Sequence, residues 1–116
     1  MKEELMPTAI QWVEQKGFDS IKANFEGHEN PKSWIRSKTE KPMIPDITGV
    51  KHGKKNYVEL ALKTDDERRQ VTKWKLLSLL ATQQGGKLYL LAPRGHKAHT
   101  VKIVNNYNLT ATVISL

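Results

Sequence analysis

The residues best suited to do chemistry lie in "MIPDITGVKHGKKNYVELALKT", residues 43 to 64, where the pair Pro45-Asp46 precedes Glu59. Residues 43–50 and 56–63 read as two strands, and "KHGKKN" joins them. Gly53 supplies the backbone freedom that a tight connection needs. A hairpin turning near residues 52 and 53 sets Asp46 opposite a residue close to Glu59. Two carboxylates on adjacent strands repel, which either raises a pKa or calls for a cation between them. Hard oxygen ligands suit Mg²⁺ (or Mn²⁺), which uses one or two carboxylates together with waters and phosphate oxygens. A metal held in this way activates water and stabilises charge at a phosphoryl centre. A nearby lysine would position or deprotonate that water. Alternation along 56–63 puts Val58, Leu60 and Leu62 on one face, expected to be the core, and Glu59, Ala61 and Lys63 on the other.

The elements that must position these groups follow from periodicity. Residues 3–16 form an amphipathic helix with Leu5, Ala9, Trp12 and Val13 on one side, stopped by Gly17. Residues 20–25 form a strand, and "EGHENPKSWIRSKTEKP", residues 26–42, a long polar loop. After the hairpin a helix runs over 65–82. Asp65, Asp66 and Glu67 suit the positive end of its dipole, and Gly85-Gly86 ends it. Its second half is apolar nearly all round (Trp74, Leu76, Leu77, Leu79, Leu80, Ala81), which predicts burial on two sides. "KLYLLAP" is a strand. Ala98, Val101, Val104 and Tyr107 mark a third helix, and "TATVISL" is a last strand. The order α-β-β-β-α-β-α-β gives an α/β class with a mixed sheet and helices on its faces, in one domain over 1–116.

The Pro-Asp pair in one strand, a hydrophobic-Glu step in the next and a glutamine early in the following helix resemble the PD-(D/E)XK nuclease superfamily. The resemblance spans roughly residues 3 to 92 and includes small resolvase-like members. It implies a restriction-endonuclease-like α-β-β-β-α-β core and a Mg²⁺-dependent endonuclease acting on DNA. Carried over, Asp46 and Glu59 are the metal ligands, and Gln70 matches the helix glutamine, on the inward face with Trp74, Leu77 and Ala81. An acid on the first helix is common in the family, with Glu4 and Glu14 as candidates. The departure is Ala61, which stands where the family pattern has lysine. The readings left open are a relocated lysine (Lys63 ahead of Lys73), loss of catalysis with the fold retained, or a lysine-to-alanine change made at this position.

Charge supports a polyanionic partner. The chain carries a net +7, and from Arg68 onward it holds 8 Lys/Arg and no acid. A one-signed half makes a sustained positive field that suits nucleic acid, taken here as DNA. Lys51, Lys54 and Lys55 at the hairpin tip, Arg69 and Lys73 on the second helix, and Arg94 and Lys97 near the start of the third are the candidate backbone contacts. His96 and His99 read as surface residues, and Trp34 as a plug at the core edge. There is no Gly-rich phosphate loop, and the absence of cysteine excludes disulfides and thiolate zinc sites. No apolar run approaches the roughly 18 to 20 residues that cross a bilayer. The acidic "MKEELMPTAIQW" does not read as an export signal, so a cytoplasmic protein is expected. The competing functions are a catalytically inactive nucleic-acid-binding module on the same fold, and a homodimeric interaction domain built on the second helix. The nuclease reading also favours a homodimer, since two strands need two sites.

Overall fold

The structure, a computed structural model, describes residues 1–34 and 42–116. The middle of the long loop, residues 35–41, lies outside the described residues. The elements are α1 (Lys2–Gln15), β1 (Asp19–Ala23), β2 (Ile47–Lys51), β3 (Lys54–Leu60), α2 (Glu67–Gln83), β4 (Leu88–Ala92), α3 (Lys97–Asn106) and β5 (Thr112–Ser115). Their order is the one the sequence predicts. A single five-stranded sheet runs β1-β2-β3-β4-β5, antiparallel from β1 to β3 and parallel from β3 to β5. Parallel neighbours need crossovers, and α2 and α3 provide them.

Helices cover both faces. Met6, Ala9, Ile10 and Val13 of α1 pack on Ile47, Val58, Leu60 and Leu91. On the other face Val71, Trp74, Leu77 and Ala81 of α2 pack on Tyr57, Ala61, Leu88 and Leu90. Successive residues of β3 therefore enter two different cores. This corrects the expectation that only the Val58–Leu60 side is apolar and buried. β3 is a central strand with parallel and antiparallel neighbours, and such strands are covered on both faces. Ala61 is fully buried under α2, in the same cluster as Trp74.

Three further expectations need correction. β3 ends at Leu60 rather than Lys63, and β2 begins at Ile47, one residue after Asp46. α2 is not buried all round, because Leu79 is 55% exposed while Trp74, Leu77, Leu80 and Ala81 are buried. In α3 the period is right and the phase is wrong. Thr100 and Ile103 are buried, while Ala98, Val101 and Tyr107 face outward. An apolar letter count passes over Thr100, whose hydroxyl is satisfied by donating to His96 O at 2.8 Å. No helix among the described residues is long and apolar enough to cross a membrane.

α2 closes with paired glycines for different reasons. Gly85 has φ +73°, the left-handed conformation that ends a helix at low cost, and Gly86 N–H then donates back to Ala81 O at 2.8 Å. Gly86 is glycine because of crowding: a Cβ there would lie 1.8 Å from Lys55 O. Gly86→Ala is expected to destabilise the fold by roughly 2 to 4 kcal/mol, since backbone rather than a flexible side chain must yield. Urea denaturation of the two proteins measures this directly.

Candidate active site

The site forms where the β2–β3 ladder opens. Its last backbone pair on this side is Ile47↔Val58. One residue beyond, side chains replace carbonyls as acceptors. Asp46 N–H donates to Glu59 Oε2 at 2.6 Å, and Leu60 N–H donates to Asp46 Oδ2 at 2.8 Å. Each carboxylate thus satisfies a backbone N–H beside the other acid, and neither the Asp46 nor the Leu60 N–H is left without a partner. β3 meanwhile keeps its pairing with β4 through Glu59↔Leu90 and Leu60↔Leu91. The two strands separate around a reciprocal acid pair.

Both acids are buried, Asp46 at 3% and Glu59 at 1% exposure. Two buried negative charges require cations, and two lysines supply them. Lys73 Nζ lies 3.0 Å from Glu59 Oε1, and Lys2 Nζ lies 2.9 Å from Asp46 Oδ1. One comes from α2 and the other from α1, on opposite faces of the sheet. Burial, reinforced by the Asp46 charge, pushes Glu59 up to about 7, against the pull of Lys73, Lys2 and the Asp46 N–H. Burial works to lower the Lys2 ammonium, but Asp46 and Glu59 outweigh it and hold it above the ordinary lysine value.

A cleft of about 330 Å³ opens beside the pair and is lined by Lys2, Glu59, Lys63, Arg69, Gln70 and Lys73, among others. The structure therefore brings Asp46, Glu59 and Lys73 into one contact network, with Gln70, Arg69 and Lys63 along the adjoining wall. The ammonium against Glu59 belongs to Lys73 and not to Lys63, which is exposed at the rim. Because β3 ends at Leu60, strand alternation does not carry Lys63 back to Glu59. Gln70 braces the loop: its Nε2 donates to Leu62 O at 2.7 Å, and its Oε1 accepts from His99 Nε2 at 3.3 Å. Lys63 N–H donates to His96 Nδ1 at 2.9 Å. The two histidines, read from sequence as surface residues, thus tie α3 to the cleft wall.

The remaining candidates disperse. Lys55 is four residues along β3 from Glu59, roughly 13 Å at 3.3 Å per residue. Its Nζ lies over Tyr57 at 5.3 Å, while Lys51 Nζ lies over Phe18 at 5.5 Å. Lys54 runs alongside Gly85. Burial lowers the Lys55 pKa, helped by the neighbouring charges of Lys22 and Lys32. Arg94 and Lys97 are exposed where α3 starts. Glu4 and Glu14 are exposed as well, and the α1 residue that reaches the acids is Lys2. Its signal was in the sequence: positions 2, 6, 9 and 13 form one helical stripe whose last three members are core.

The donor set determines what cation fits. Among the described residues no third His, Cys, Asp or Glu joins Asp46 and Glu59. Each carboxylate oxygen has one protein partner and a second lone pair to give. Two hard carboxylates, Glu59 on the cleft wall and Asp46 bonded behind it, fit Mg²⁺ or Mn²⁺, which keep several waters, better than Ca²⁺ or Zn²⁺, which need fuller protein cages. Comparison with protein-family models, curated proteins and solved structures finds no match.

The buried charges make the stability of the fold depend on pH. The folded state holds a proton on Glu59 more tightly than the unfolded chain, whose value is about 4.5. Stability contributed by that proton is therefore lost as pH rises from about 4.5 through about 7. Glu59→Gln, compared by urea denaturation across that window, should flatten the slope. Lys73→Met leaves Glu59 buried against Asp46 and should destabilise by roughly 3 kcal/mol at the alkaline end. Lys63→Met, at an exposed position, should stay within about 0.5 kcal/mol.

Proposed function

We propose that this chain is a metal-dependent phosphodiesterase of the PD-(D/E)XK nuclease type, acting on DNA by its structure rather than its sequence. The observation that carries the reading is the buried Asp46–Glu59 pair with the Lys73 ammonium 3.0 Å from Glu59, beside a cleft lined by further cations. The element order around it, α-β-β-β-α-β and then α-β, supports the same restriction-endonuclease-like core. In this reading Lys73 stands in for the lysine that the pattern would put at position 61.

Asp46 and Glu59 would hold Mg²⁺ or Mn²⁺, which when bound supplies Lewis acidity toward a phosphoryl oxygen and lowers the pKa of its water. The protein's own groups do the rest. Lys73 donates toward the attacking water and offsets charge on the phosphoryl group. Lys63 and Arg69, exposed along the cleft, grip the flanking backbone. Gln70 holds the wall through Leu62 and His99 and keeps these groups in place. Phosphate contacts of this kind position a substrate without reading bases. One such centre cuts one strand, so cleavage of both strands calls for a homodimer.

The test is Mn²⁺ titration together with cleavage assays on nicked, flapped and four-way DNA. The wild type should bind about one equivalent of metal, and Asp46→Ala should bind none. Asp46→Ala and Lys73→Met should each lose roughly a hundredfold or more in cleavage rate, while Lys63→Met loses less than about tenfold. If no metal binds at millimolar concentration, the phosphodiesterase reading is wrong. Salt-sensitive, metal-independent DNA binding would then identify an inactive binding module.

A further inference from the structure

The two lysines that answer the acid pair are not equivalent. Lys73 sits within the seventeen-residue α2, its side chain 19% exposed and its backbone fixed by helix on either side. Lys2 is the first residue of α1, its side chain 44% exposed, in a turn where Met1, Glu3 and Glu4 also face solvent. The fully buried residues of α1 begin at Met6, and Leu5 is the first to pack against the core. Lys73 has less solvent to swing into than Lys2, its side chain being 19% against 44% exposed and next in sequence to the buried Trp74. Moving Lys2 away from Asp46 requires only rotation of a half-exposed side chain at a helix end.

The charge balance gives this asymmetry a consequence. With Glu59 ionised, the charges of Asp46, Glu59, Lys2 and Lys73 sum to zero, so the pair is already neutralised by the protein. A dication entering that set would leave a local excess of two positive charges in a largely buried place. An ammonium within hydrogen-bond distance of Asp46 Oδ1 would also repel the arriving cation strongly. The cheapest relief is departure of the mobile ammonium into water.

We propose that Lys2 is an exchangeable counter-ion of the acid pair: it holds Asp46 until a divalent cation binds, and its displacement by that cation sets the metal affinity of the site. This rests on the metal-binding reading above and adds a residue to it. Lys2 touches neither substrate nor metal in the loaded protein; it acts through Asp46, as a competitor. Because coupling is reciprocal, metal loading frees the Lys2 amine just as removing that amine favours metal.

The experiment is calorimetric titration with Mn²⁺ of the wild type, Lys2→Met, Lys2→Gln and Lys16→Met. Lys16→Met removes the same charge from the carboxyl end of α1 without touching the acids. Both Lys2 variants should bind roughly tenfold more tightly, within the ordinary range of coupling between sites, and Lys16→Met should match the wild type. A second readout needs no variant: acetylation of the wild type, followed by mass spectrometry, should modify Lys2 faster when Mn²⁺ is present. Equal or weaker binding by the Lys2 variants, or a labelling rate indifferent to metal, overturns this inference and leaves the metal site standing. Absence of binding in all four proteins overturns both.

Discussion

Two carboxylates cannot be buried side by side unless their charge is answered from within the fold, and here that demand organises the centre of the molecule. Asp46 and Glu59 meet where β2 leaves β3, and each takes over a hydrogen bond that the strand ladder no longer provides. The remaining oxygens face outward from the sheet to Lys2 and Lys73. An opening in a ladder usually exposes unsatisfied backbone. In this case it becomes a place where two acids are buried with every oxygen partnered.

The relation between Ala61 and Lys73 is best understood as packing. Position 61 lies fully buried under α2, among the apolar groups that surround Trp74. A small side chain there lets the helix lie close over β3, and the close approach brings Lys73 within reach of Glu59. An ammonium delivered from the helix leaves strand and helix in contact; a long side chain at position 61 would have to share that space. The ammonium beside Glu59 thus comes from the helix and not from the strand.

Much of this was legible from the sequence. Antiparallel pairing about Gly53 has a fixed arithmetic, so the closeness of Asp46 to Glu59 could be read from their distances to the turn. The order of elements followed from periodicity and glycine stops. That Lys73 and not Lys63 contacts Glu59 was not legible, because alternation holds only while a strand continues, and nothing in "ELALKTDD" marks Leu60 as its last residue. Lys2 was missed for a different reason. Its partner is 44 positions away across a sheet, and a charged residue at a helix start reads as solvated unless the stripe through Met6, Ala9 and Val13 is extended backward to it. The phase of α3 was lost to Thr100, a polar letter at a core position.

The drawing of one cation from each helical layer also bears on how the molecule assembles. With only α1 docked, Glu59 lacks its ammonium; with only α2 docked, Asp46 lacks its own. Either half-built state leaves one acid without the ammonium that answers it, so the full network forms only when both helices are docked. The acid pair therefore penalises partially folded forms and binds the two layers into one cooperative unit, although α1 and α2 lie on opposite sides of the sheet. Amide exchange in the two helices should consequently report a shared opening event, not two independent ones.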